Sequence, residues 1–170
     1  MLYTYKNICY CLHINKKKGK PMDLKEYKDW ADQLLKEADA YSYQYNDGGR
    51  ADSGRKGSAG DCVCRAIAIA TGKAYDDVYR DLAKANKAAG GKASARNGLF
   101  RSVYEAYLNN LGWVWHSAPK FDGRKARHYD MPDGVVIVRM ARHVACVKDG
   151  IVHDTWDSRK KMVYGYWAKA

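Results

Sequence analysis

Apolar positions recur along this chain at two different periods, and the change from one to the other falls near Gly112. From Asp23 onward Leu24, Tyr27, Trp30, Ala31, Leu34, Leu35 and Ala38 are spaced by three and four residues, which predicts an amphipathic helix capped by Asp23 and reaching about Ala40. Its apolar face is expected to pack on the main body. Cys62 to Thr71 is apolar at nearly every position except Arg65, follows Asp61 as N-cap and stops at Gly72, the pattern of a buried helix. A second body helix is predicted from about Ala74 to Ala89, with Tyr75, Val78, Tyr79 and Leu82 on one face, and a third from Gly98 to Leu111 between an Asn97 cap and a Gly112 stop. Beyond Gly112 the segments Trp113–Trp115, Gly134–Met140, His143–Lys148, Ile151–Trp156 and Met162–Trp167 are β-branched and aromatic and read as strands. Asp149-Gly150 marks a hairpin, because a type I′ turn needs positive φ at both central residues. Helices followed by an antiparallel sheet make an α+β architecture.

The segments outside these elements divide the chain. Residues 46–60 are glycine-rich with Asp, Arg and Ser, and read as a long surface loop of the kind that carries function. Residues 1–21 differ from the rest: a short alternation around Ile8 to Leu12 leads into Lys16-Lys-Lys-Gly-Lys-Pro21. A ribosome-binding site translated in frame ahead of a start codon would encode such a junction, so these residues read as a non-native leader or N-terminal extension, with Met22 as the natural start. The expected organisation is therefore this leader, a helical segment over residues 22–45, and one main domain over residues 46–170.

Composition narrows the setting. No stretch approaches the roughly 20 apolar residues needed to span a bilayer, and the first twenty residues lack a signal-peptide pattern. Five cysteines with no disulfide-framework spacing fit free thiols in a reducing compartment, so a cytoplasmic protein without a membrane partner is expected. A formal charge of +11 favours acidic partners, nucleic acid among them, but the basic residues are interspersed with acidic ones and do not choose between partner classes.

A thiol attacks as its thiolate, and a cysteine at a helix N-terminus gains from the dipole and from the unpartnered backbone N–H groups there. Cys62 has that position. Cys64, two residues further on, falls on another face and reads as a small buried hydrophobe, so the two do not form one metal site. With Asp149-Gly150 as a two-residue turn, Lys148 faces Ile151, Ala145 faces Asp154 and His143 faces Trp156. His143, Asp154 and Trp156 then share one side of the sheet, while Cys146 and His153 take the other. A carboxylate diagonal to an imidazole on one face can hold Nδ1–H and leave Nε2 for a thiol. Taken singly, each of these residues also has a plain structural role; the ordered set points to nucleophilic chemistry, with Asp61 and Trp156 lining the site. It calls for no cofactor and no metal.

Gly60-Asp61-Cys62 opening a helix, followed by His143-Val-Ala-Cys-Val-Lys-Asp-Gly-Ile-Val-His-Asp154, resembles the papain-like cysteine peptidase superfamily over roughly Ser58 to Trp167. The segment Gly60 to Gly72 is similar to small, mostly uncharacterised phage and bacterial proteins of that superfamily. The resemblance implies a Cys62–His143–Asp154 triad and peptidase, amidase, deconjugating or acyl-transfer activity on a protein or peptide substrate, an acidic one given the charge. Relatives usually carry a Gln several residues before the Cys to complete the oxyanion hole, and residues 56–61 contain none. Gln44, Asn46 and Ser58 are the substitutes their side chains allow. Without a second donor roughly 10²–10³ in rate is lost, which keeps open a catalytically inactive papain-fold interaction protein, such as a phage-encoded inhibitor of a host factor. Nucleic-acid binding is a third reading resting on charge alone. Cys9, Cys11 and His13 lack a second ligand pair at zinc-finger spacing, and His116 and His128 with Lys120, Arg124, Lys125 and Arg127 form a basic loop read as solvated surface or as a patch for an acidic partner.

Overall fold

The computed structural model describes residues 23–170, and the chain divides into two compact units, with the boundary along the sequence between Ser42 and Tyr43. The first holds helix α1 (Leu24–Tyr41). Its N-terminus is a reciprocal cap: Asp23 Oδ1 accepts the N–H groups of Lys25 (2.7 Å) and Glu26 (2.9 Å), and Glu26 Oε2 accepts that of Asp23 (3.2 Å).

The second unit carries helices α2 (Cys62–Thr71), α3 (Tyr75–Ala88) and α4 (Arg101–Asn110) and strands β1 (Tyr43–Tyr45), β2 (Trp113–Ser117), β3 (Val135–Met140), β4 (His143–Lys148), β5 (Ile151–Asp154) and β6 (Val163–Lys169). The strands form one sheet in the order β1-β5-β4-β3-β6-β2. All neighbours are antiparallel except β1 and β5, so the sheet is mixed rather than antiparallel throughout. Tyr43–Tyr45, which the sequence reading leaves in the N-terminal segment, supplies that parallel edge.

Alternation along the strands gives the sheet two buried faces. Ile137, Val144 and Trp167 pack with Cys64, Ile67, Val78, Leu82 and Leu108 of the helices. Val136, Val138, Ala145, Val147 and Val152 pack on the other side with Ala126 and Met131 from the long β2–β3 connection. Because β4 is covered on both faces, its first five residues are all buried.

Local chemistry explains most boundaries. α2 ends where Gly72 adopts φ +71° and its N–H closes on the Ala68 carbonyl. Asp149 and Gly150, at φ +50° and +80°, make the expected hairpin and fix the pairings Lys148↔Ile151 and Cys146↔His153. α4 starts at Arg101 rather than Gly98. Phe100 holds the N-cap position without a side-chain bond, and Asn97 instead forms an isolated parallel bridge with Gly60. The β5 strand stops at Asp154, two residues short of the expected Trp156.

Candidate active site

The start of β4 and the ends of β3 and β5 lie together at one end of the sheet, where Met140 pairs with His143 and β5 finishes at Asp154. Cys62 opens α2 and is half-buried. The first backbone bond of the helix runs from the Arg65 N–H to the Asp61 carbonyl (3.2 Å), and among the described residues the Cys62 N–H has no backbone acceptor. The other described thiols differ from it. Cys64 is fully buried against the Ala95 carbonyl (3.9 Å), and burial, reinforced by the negative charge of Cys62, pushes its pKa up to about 12. Burial likewise pushes Cys146 up to about 12. These two thiols are neutral packing groups.

His143 is 8% exposed and its Nε2 lies 2.5 Å from Asp154 Oδ2. Cys62 acts on the same ring, favouring its charged form. With Nε2 engaged by the carboxylate, Nδ1 is the nitrogen left for the thiol, the reverse of the assignment expected from sequence. Hairpin register brings the imidazole and carboxylate to one side of the sheet but does not dictate which ring edge meets which partner. Burial is the largest influence on this imidazole and disfavours its charged form. The hydrogen bonds and charges of Asp154 and Cys62 together outweigh it, raising the pKa to about 9. An imidazolium at neutral pH beside a helix N-terminus stabilises a thiolate.

The carboxylate is itself held. Asp154 is 3% exposed, its Oδ2 also accepts from Ser158 Oγ (2.9 Å), and its Oδ1 accepts the Thr155 N–H (2.8 Å). Ser158, buried four residues after Asp154, was hidden from sequence reasoning by its place among the turn formers Asp157 and Arg159. Trp156 lies beside the imidazole, with ring centroids 4.9 Å apart, and is itself half-exposed.

Asp61 behaves differently from its expected role. It makes no side-chain capping bond. At 1% exposure it accepts from Arg50 Nε (2.8 Å), from Arg65 Nη1 and from Tyr75 Oη. Arg65, read as the lone polar break in an apolar helix, is buried in this network, where burial lowers its pKa against the opposing charge of Asp154. Arg50 and Arg96 organise the glycine-rich loop: Arg50 Nη2 donates to the Gly57 carbonyl (2.9 Å), and Arg96 Nη2 to that of Ser58 (2.9 Å). Gly48, at φ +67°, sits so close to α2 that a Cβ there would be 3.0 Å from the Arg65 carbonyl oxygen.

The three oxyanion candidates separate. Gln44 pairs with His153 and shares its side of the sheet, opposite to Asp154. Ser58 lies in the loop pinned through its carbonyl by Arg96. Asn46 is carried to the site's end of the sheet, where its N–H donates to the Asp154 carbonyl (2.9 Å) and its Oδ1 accepts the Gly48 N–H (2.9 Å).

Elsewhere, the basic loop turns partly inward. His128 is 4% exposed, Arg124 grips both oxygens of Asp130 (2.6 and 2.8 Å), and Arg127 donates to the Lys160 carbonyl, so these residues fold the loop instead of forming an open cationic patch. His116 stacks on Tyr166 with centroids 5.2 Å apart. Cys9, Cys11, His13 and the Met22 junction lie outside the described residues. Among the described residues no three His, Cys, Asp or Glu side chains come together as a metal cluster, and no helix is long and apolar enough to cross a membrane. Comparison with protein-family models, curated proteins and solved structures finds no match for this chain.

Proposed function

We propose that this protein is a papain-like thiol hydrolase or acyl transferase acting on an amide or isopeptide bond of a protein or peptide in the cytoplasm. The observation that carries the reading is the His143 ring held by Asp154 Oδ2 at 2.5 Å, with its charged form favoured by Cys62 at the N-terminus of a buried helix. The Cys62 thiolate attacks the substrate carbonyl, and the helix-start N–H groups face the developing oxyanion. His143 delivers its Nδ1 proton to the leaving amine as the C–N bond breaks, leaving a thioester on Cys62. Water or an acceptor amine then attacks the thioester while Nδ1 takes the incoming proton, and the C–S bond breaks to release the acyl product and return the Cys62 thiolate beside the His143 imidazolium. Asp154 stays ionised throughout and holds Nε2–H, fixing tautomer and ring orientation.

The test is the rate of Cys62 alkylation by iodoacetamide against pH, located by peptide mapping, in the wild type, Cys62→Ala and His143→Ala. Fast modification at neutral pH that His143→Ala slows at least tenfold supports an activated thiolate. Equal rates in the wild type and His143→Ala would remove the catalytic reading and leave a papain-fold interaction protein.

A further inference from the structure

One cation at the site's end of the sheet has no use in the chemistry above. Arg139 is the penultimate residue of β3, paired with Val144 on one side and Gly165 on the other, one register step from the Met140↔His143 pair. Alternation places it with Ile137 on the helix-bearing face, where Cys62 and Tyr104 pack against the same apolar cluster. It is half-buried, and among the described residues no carboxylate pairs with it. Its recorded partner is the exposed Tyr164 ring, 5.6 Å from the guanidinium carbon. Arg101, at the start of α4, is by contrast tied to Glu105 at 2.7 Å.

The neighbouring position on β6 is closed to any side chain. Gly165 has no Cβ beside Arg139, and the Trp115 ring lies over it, so close that a Cβ would sit 2.3 Å from Cζ2. Arg139 thus lies against the Tyr164 ring of β6, at the same end of β3 as the Met140↔His143 pair. An arginine held against aromatic rings keeps its planar donor fork pre-organised and is the side chain best suited to grip a carboxylate by two bonds.

We infer that Arg139 is a substrate-binding residue that selects amide substrates carrying a carboxylate close to the scissile carbonyl. The inference rests on the thiol-catalyst reading, and its test separates the two. Cys62 is alkylated with iodoacetate and with iodoacetamide, reagents differing mainly in the carboxylate, and the ratio of the two rate constants is taken at low salt. Using the ratio cancels any change in thiolate content. Arg139→Gln is expected to lower the iodoacetate-to-iodoacetamide ratio about tenfold, roughly the loss of one charge-assisted contact. Arg139→Lys, which keeps the charge, should restore most of it, and raising the salt should compress the wild-type ratio. Arg80→Gln, at a surface arginine held by Asp77, serves as the control and should leave the ratio at the wild-type value. An unchanged ratio in Arg139→Gln, including one in which both rates fall in parallel, overturns the assignment. Iodoacetamide rates equal in the wild type and His143→Ala sink the thiol-catalyst reading, whatever the ratio does.

Discussion

Asp154→Asn tests the structural account of His143 more sharply than removal of the imidazole, because it changes one charge and few atoms. The carboxylate accepts three hydrogen bonds, from His143 Nε2, Ser158 Oγ and the Thr155 N–H. An amide keeps one acceptor oxygen. If that oxygen stays with Thr155, the NH₂ group confronts Nε2, and the ring relieves the clash only by moving its proton to Nδ1, where it can no longer accept the thiol proton. The charge that opposes burial is also gone, so the His143 pKa falls from about 9 to 6.5 or below. At pH 7.5 the charged fraction of the ring then drops about tenfold, and Cys62 alkylation is expected to slow by at least that factor.

The same substitution has a stability signature whose sign is fixed by the direction of the shift. A histidine whose pKa is raised on folding binds more protons folded than unfolded, so its contribution is fully present below the ordinary value of 6.5 and is lost as pH rises through about 9. The interval corresponds to roughly 3 kcal/mol, or on the order of 6–12 °C in melting temperature for a chain of this size. Thermal unfolding from pH 6 to pH 9.5 should show the wild-type advantage over Asp154→Asn shrinking across that window. Parallel curves for the two proteins, or unaltered alkylation, would refute the reasoning.

Three further outcomes follow from burial and packing. Peptide mapping after native iodoacetamide treatment should find Cys62 modified and both Cys64 and Cys146 intact until the protein unfolds, because burial pushes each of those thiols up to about 12. Asp61→Asn strands Arg50 and Arg65 next to a neutral group that is 1% exposed, and should lower unfolding free energy by about 3–5 kcal/mol in urea titrations. Gly165→Ala forces a methyl group to within 2.5 Å of the His116 carbonyl oxygen and onto the Trp115 ring, and should destabilise by roughly 1–3 kcal/mol in the same titration, with a change in Trp fluorescence.

What the sequence conveyed about this fold depended on how local the determining physics was. α2, the Asp149-Gly150 turn and β4 were legible because an apolar run, a left-handed glycine and a two-residue turn each act within a few residues. The turn also carried the site, since a two-residue loop sets the register that puts His143 and Asp154 on one side. The three-residue β1 was too short to show a period, and its parallel pairing with β5 spans more than a hundred residues of chain. Placement of β6 between β3 and β2 is also non-local, over shorter spans of chain.

The charged residues were misread for a related reason. Arg50, Arg65 and Asp61 look like loop, helix-break and cap residues one at a time, and acquire their meaning only when the loop folds back on α2. That fold-back links the two halves of the candidate site. Arg65 sits three residues after the nucleophile, is anchored to Asp61, and lies within the electrostatic reach of Asp154. Loosening Asp61 therefore perturbs the helix start and the field around the carboxylate that orients His143 together. Its effect on Cys62 reactivity should exceed that of a substitution of comparable cost such as Leu82→Ala, about 2–5 kcal/mol, which opens a cavity in the helical core and touches neither end of the triad.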